Sequence, residues 1–147
     1  MKREYITCSP QVTRLLAQKI AKEMQKKEKG PIVFALSGEL GSGKTTFLKG
    51  LALGLGIKKR ILSPTFILMR KFKLSHPQFK NFYHIDCWRL ESPQDILSVG
   101  WDKILSPENI IAIEWADKVR KFLPKRTIEV KFKIVGPKTR KITVKSR

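Results

Sequence analysis

Acidic residues are scarce in this 147-residue chain: 12 Asp and Glu stand against 31 Lys and Arg, a formal charge of +19. Cysteine is scarcer still. Cys8 and Cys87 are the only two, and they form neither a metal-ligand spacing nor a disulfide framework, which suits a reducing, cytoplasmic compartment. Apolar runs are short; none approaches the roughly 18 residues needed to cross a bilayer. The opening MKREYITCSPQ lacks the apolar core of a signal peptide. Repeats, low-complexity tracts and linkers are missing as well. A secreted or membrane-spanning protein is excluded on this reading, and the length predicts one domain, residues 1–147. Disorder is excluded too, because 41% of the residues are hydrophobic and apolar runs recur along almost the whole chain.

The charge is uneven. Residues 84–117 carry 2 basic and 7 acidic groups, whereas residues 58–83 carry 7 basic and none acidic, and residues 118–147 carry 12 and 1. Such an excess attracts polyanions, of which RNA is the commonest in cytoplasm. The alternative is a solvated lysine surface, since aromatic and Arg residues do not interleave as in an RNA-reading module.

The apolar pattern predicts a mixed α/β domain. Val12, Leu15, Leu16, Ile20 and Met24 fall at helical spacing, started by Ser9-Pro10 and stopped by Gly30-Pro31. Ile32–Leu36 is continuously apolar, as a strand buried on both faces is, and a helix follows from Thr45 to Leu55. A β-leaning stretch from Ser63 to about Leu74 turns near Ser75-His76-Pro77 and pairs with Phe79–Asp86. Pro93–Leu105 reads as one helix or two short ones, and Ile110–Ile113 as a second central strand. A short helix over Asp117–Phe122 precedes a strand in which Ile128, Val130, Phe132 and Ile134 alternate with charged residues. Gly136-Pro137 turns that strand onto a partner with Ile142 and Val144 inward.

Between the first buried strand and its helix lies Gly38-Glu39-Leu40-Gly41-Ser42-Gly43-Lys44-Thr45, a full match to G-x-x-x-x-G-K-[ST]. Gly38, Gly41 and Gly43 let successive backbone N–H groups turn toward one phosphate, and the helix adds its positive end. Lys44 would reach the β- and γ-phosphates, and the Thr45 hydroxyl would ligate Mg2+. Strand before and helix after are the context this loop requires. The expected fold is therefore a P-loop NTPase α/β domain with a mixed central sheet flanked by helices.

A P-loop also needs a carboxylate near the metal at a strand end. Glu114 ends the Ile110–Ile113 run and Asp86 ends the Phe82–Ile85 run. One would hold Mg2+ and the other orient water; spacing leaves open which does which. Thr65 reads equally as a switch-like γ-phosphate sensor and as a strand opener. Trp115, beside Glu114, reads first as core or interface. His76 and His84 have no nucleophile or metal partner at telling spacing and read as structural, and Cys87 as a small buried hydrophobe.

Together GELGSGKTTFLKGLALGLGI, SPTF, YHIDCWRL and IEW resemble the bacterial TsaE (YjeE) family in order and approximate spacing, over roughly residues 5–135. The resemblance implies a single P-loop ATPase domain required for threonylcarbamoyladenosine modification of tRNA. It places Gly41 to Thr46, including Ser42, around the phosphates, and Thr45 and Glu114 at Mg2+. Asp86 and Thr65 fall in the hydrolytic site, Trp115 pairs with the glutamate, and Ser9-Pro10 and Arg140 lie near the base. It further implies that ATP turnover supports the TsaD–TsaB pair, which transfers threonylcarbamoyl to adenosine 37. Two features depart from the family: the large positive charge, and Cys87-Trp88 where Leu-Tyr is more usual.

Two other readings share these residues. A small-molecule or nucleoside kinase would need an acceptor site and an Arg-bearing lid, for which Arg70 and Arg89 are the candidates. A basic RNA-binding module with a relic nucleotide site would draw on residues 58–83 and 118–147.

Overall fold

Ile32 to Leu36 are all buried, and the strand they form must pair on both sides to satisfy its backbone. In the computed structural model, which describes residues 1–59 and 68–146, it does. The seven strands are β1 (Lys2–Thr7), β2 (Ile32–Gly38), β3 (Met69–Lys73), β4 (Asn81–Asp86), β5 (Asn109–Glu114), β6 (Ile128–Ile134) and β7 (Arg140–Lys145). They make one sheet in the order β1-β7-β6-β2-β5-β4-β3. The four inner strands β6, β2, β5 and β4 run parallel; β3 is antiparallel to β4, and β7 and β1 add an antiparallel ribbon on the other side. The mixed α/β fold expected from the sequence is what the chain adopts.

Helix α1 (Pro10–Lys27) starts where Ser9 Oγ accepts the Val12 N–H at 3.2 Å, with Pro10 in the first turn, where a missing N–H costs nothing. Lys26 and Lys27 meet its negative end. Helix α2 (Lys44–Gly54) packs against it unusually closely. A Cβ on Gly50 would lie 2.5 Å from the Arg14 carbonyl oxygen and 2.6 Å from Ala17 Cβ, so only glycine admits this approach. Both helices cover one sheet face over a core that includes Phe34, Phe47, Phe82, Phe132 and Ile142, with Phe47 and Phe132 edge to face at 5.3 Å.

The opposite face is covered by 3₁₀ turns at Pro93–Val99 and Ala116–Phe122 and the short helix α3 (Trp101–Ile104), packed on Val33, Tyr83, Ile85, Ile111 and Ile113. Trp101 Nε1 donates to the Phe122 carbonyl at 3.0 Å, tying α3 to the second 3₁₀ turn.

Two results differ from the sequence reading, and one part of it lies outside the described residues. β1 has no counterpart in it, because the strand's alternation is masked by charge and most of its residues are exposed. Ile134 is 40% exposed, since the helical layer ends before the tip of β6. Arg60 and the Ser63–Phe66 motif, with Thr65, fall outside the described residues; of the β-leaning stretch, Met69–Lys73 is the strand.

Candidate functional site

Parallel strands direct their carboxyl ends to one edge, where such sheets bind ligands. Here β2 ends in Gly38, β4 in Asp86 and β5 in Glu114, with Asp86 and Glu114 register partners. The glycine-rich loop leaves β2 at this edge and returns as α2. Gly41 and Gly43 take φ of +78° and +105°, a region open to glycine without strain. Gly38 is required sterically, because a Cβ there would meet Phe132 O and Ser42 Oγ, each at 2.8 Å.

A cleft of about 430 Å³ opens over the loop. Its floor is Gly41 to Thr46, one wall is Asp86, Trp88, Glu114 and Trp115, and the other is Ser9, Pro10, Thr13, Pro137, Lys138 and Arg140. Of the residues singled out in the sequence, the structure brings together Gly38, Gly41, Ser42, Gly43, Lys44, Thr45, Thr46, Asp86, Glu114, Trp115 and Arg140. Thr65 lies outside the described residues.

Lys44 is nearly buried. Its ammonium donates to the Gly38 carbonyl and, at 3.1 Å, to that of Glu39, and it lies 3.8 Å from the centre of the Trp115 ring, a cation–π contact. Burial pulls its pKa below the ordinary lysine value, while Glu114, Asp117 and Asp86 act in the opposite sense. Trp115 reaches over Lys44 from a left-handed backbone, φ +57°, which costs a residue with a Cβ roughly 1–2 kcal/mol. Its ring also packs on Trp88, with centroids 4.4 Å apart.

The Thr45 hydroxyl donates to Glu114 Oε1 at 3.1 Å, and Glu114 Oε2 lies 2.8 Å from His84 Nε2. Asp86 Oδ1 accepts the Trp88 N–H at 3.0 Å. Burial raises the Asp86 pKa; the Trp88 N–H lowers it, Glu114 raises it, and His84 and Lys44 lower it, in decreasing order of effect. Arg140 donates to the Gly136 and Thr139 carbonyls at 3.0 Å each and to the Gly41 carbonyl at 3.1 Å. It clips the β6–β7 turn to the tip of the glycine loop.

His84 is the member that sequence reasoning set aside as structural. It is 0% exposed, and its ring bonds the strand-end glutamate. Alternation along β4 carries the signal: Phe82, His84 and Asp86 share a face. His76, by contrast, is structural, its Nδ1 accepting the N–H groups of Gln78 and Phe79. Trp88 and Lys138 also line the cleft without having been singled out.

The arrangement fits a nucleotide phosphate and a hard cation. Ser42 Oγ is buried in the cradle without a partner among the described residues. Thr45, Glu114 and Asp86 offer oxygen donors of the kind Mg2+ takes. No cluster of three or more His, Cys, Asp or Glu side chains able to hold a metal occurs among the described residues.

The sequence pattern of a family described as threonylcarbamoyl adenosine biosynthesis protein TsaE matches residues 7–142. The chain belongs to the TsaE family. Among TsaE relatives, the Bacillus subtilis protein is 32% identical over 137 residues, 93% of this chain and 81% of its own. The Treponema pallidum protein is 38% identical over 117 residues, 80% and 83% of the two chains. That of Borreliella burgdorferi is 46% identical over 106 residues, 71% and 74%. All three are named tRNA threonylcarbamoyladenosine biosynthesis protein TsaE. The crystal structure of Bacillus subtilis YdiB superposes with a TM-score of 0.78 at 29% identity, covering 99% of this chain and 86% of that one. TsaE membership places the chain in tRNA threonylcarbamoyladenosine biosynthesis.

Proposed function

We propose that residues 1–147 act as one Mg2+-dependent ATPase domain that supports the TsaD–TsaB transferase during threonylcarbamoyladenosine modification of tRNA adenosine 37, in the cytoplasm. The observation that carries this reading is the convergence of a glycine cradle, Lys44 and two strand-end carboxylates at one cleft.

In this reading the N–H groups of Gly41 to Thr46 and the Ser42 hydroxyl bind the phosphates of ATP, and Gly38 permits the turn that aims them. Lys44 moves from the loop carbonyls to the β- and γ-phosphates. Mg2+, when bound, neutralises charge on the phosphate oxygens. Thr45 and Glu114 would hold it, with Asp86 as a further candidate ligand. Asp86 has an oxygen not engaged by any described residue and a proton affinity raised by burial, which suits it to orient water and accept its proton. Thr65 joins the hydrolytic group from the SPT motif. Trp115 and Arg140 border the nucleotide, Trp115 across Lys44 and Arg140 through the loop tip.

Tryptophan fluorescence tests the nucleotide site directly. ATP with Mg2+ is expected to change the emission of the wild-type protein, with the change much reduced in Trp115→Phe and absent in Lys44→Ala. An ATP response that survives both substitutions contradicts the site. Phosphate transfer to added nucleosides in preference to water contradicts the ATPase reading and favours a kinase.

A further inference from the structure

The helices α1 and α2 cover one face of the whole sheet, whereas the 3₁₀ turns and α3 cover only the β2-β5-β4 part of the other. Over β6, β7 and β1 that second face is open. Val130 and Phe132 on β6 and Ile142 and Val144 on β7 point to the core, so alternation puts the intervening residues outside. The cover stops at Glu129, which Arg120 of the second 3₁₀ turn meets at 3.3 Å.

Lysine dominates this face, which also carries Glu4, Ile6, Thr143 and, opposite Lys145, Glu129. Lys131 and Lys133 on β6, Lys141 and Lys145 on β7 and Lys2 on β1 all share it, and the register sets Lys133 opposite Lys141 and Lys145 opposite Lys2. Like charges directly opposite each other destabilise a sheet. Glu4 offsets part of this, 3.7 Å from Lys2 and 3.4 Å from Lys141. Lys131, Lys133 and Lys145 make no ion pair among the described residues. Lysines often blunt an edge strand against aggregation. That accounts for Lys2, but β6 is paired on both sides and has no edge to protect.

We propose that the open β6-β7-β1 face is a docking surface for the phosphate backbone of RNA. Successive outward lysines on one strand are about 6.5–7 Å apart and neighbouring strands about 4.8 Å, giving a flat grid of point charges that suits a polyanion. Tyr5 and Phe132, the aromatic residues of these strands, pack toward the core. Nothing on the face is therefore built to stack on bases, and binding is by backbone and independent of sequence. The choice of RNA among polyanions rests on the proposed role in tRNA modification; the surface itself does not.

The test is fluorescence anisotropy with a labelled tRNA transcript and an unrelated stem-loop RNA across a salt series. The probe protein is compared with Lys131→Gln/Lys133→Gln/Lys145→Gln and with a charge-matched control on α1, Lys19→Gln/Lys22→Gln/Lys26→Gln. Thermal unfolding checks that each variant is folded. Both RNAs are expected to bind the wild type with similar affinity. The sheet-face variant is expected to lose affinity on the order of tenfold and to flatten the slope of log K against log salt by about 2–3, at roughly 0.7–0.9 per contact removed. The α1 control should change little. Equal losses in the two variants, no RNA binding near 0.1 M salt, or binding to vesicles rich in anionic lipid but not to RNA would each overturn the proposal. Lys44→Ala should bind RNA as the wild type does. If ATP hydrolysis is absent while face-specific RNA binding persists, the ATPase reading fails and this surface stands.

Discussion

His84 Nε2 and Glu114 Oε2 lie 2.8 Å apart, the imidazole fully buried and the carboxylate at the wall of the cleft, while the other oxygen of Glu114 accepts the Thr45 hydroxyl. The carboxylate is thus held at both ends, by β4 on one side and by the first turn of α2 on the other. A glutamate free to rotate would spend much of its time out of position for a cation beside Thr45. Groups that hydrogen-bond a metal ligand and fix its orientation typically matter by about 10–100-fold in metal affinity or activity. His84→Ala is therefore expected to lower ATP hydrolysis within that range and to raise the Mg2+ concentration giving half-maximal rate, with partial rescue in His84→Gln. An unchanged Mg2+ dependence in a folded His84→Ala protein would show that the imidazole only fills space.

Asp86 sets stability against activity. Its carboxyl is shifted up from the ordinary aspartate value, chiefly by burial, so the folded chain holds the proton more tightly than the unfolded one. Between the unfolded and folded pKa values the native state carries more protons, and its stability from this group falls as pH rises through that window. Above it the ionised carboxylate remains a standing cost. Asp86→Asn is expected to raise the melting temperature of the metal- and nucleotide-free protein at neutral pH, with the gain shrinking below the ordinary aspartate range. The same variant should lose hydrolysis by orders of magnitude. Lower stability of Asp86→Asn at neutral pH, measured by thermal unfolding, would contradict this balance.

Gly50 sits where two helices nearly touch. Alanine is intrinsically better than glycine in a helix by about 0.8–1 kcal/mol, so solvent-exposed glycines usually gain from the change. Here the new methyl would lie 2.5 Å from a backbone oxygen of α1, and overpacking of this kind costs typically 1–3 kcal/mol. The steric term wins. Gly50→Ala is expected to lower the unfolding free energy by up to about 2 kcal/mol, the difference between those effects, as read by urea titration.

The two thiols differ by environment. Cys87 is buried and its pKa is pushed up to about 12, mainly by burial, whereas Cys8 is exposed. Since the thiolate is the reactive form, a disulfide reagent at pH 8 should modify one cysteine per native chain rapidly and the second only on unfolding. Two fast equivalents in the native protein would show that the end of β4 opens readily.

Particular residues show why much of this was legible in the sequence. Ile32–Leu36 and Ile110–Ile113 are apolar on every position because both strands are sandwiched between layers, and a doubly buried parallel strand leaves no other pattern. The Gly38–Thr45 loop is legible because each glycine answers a local demand. What escaped was set by distance in sequence. β1 is a strand because β7, more than 130 residues away, offers it a register, and its own charged residues give no alternation to read. His84 escaped because its partner lies 30 residues on and only the parallel pairing of β4 with β5 brings them together. The close approach at Gly50 was likewise invisible, since α2 alone shows a tolerated glycine in a helix.

The most direct measurement is ATP hydrolysis by the purified protein with Mg2+, alone and with the TsaD–TsaB pair and tRNA from the same organism, beside Lys44→Ala. The account predicts slow hydrolysis alone, marked stimulation by the pair, and loss of both in Lys44→Ala without loss of fold. Stimulated turnover that persists in Lys44→Ala, or a wild-type protein that binds no ATP and is indifferent to the pair, would contradict it.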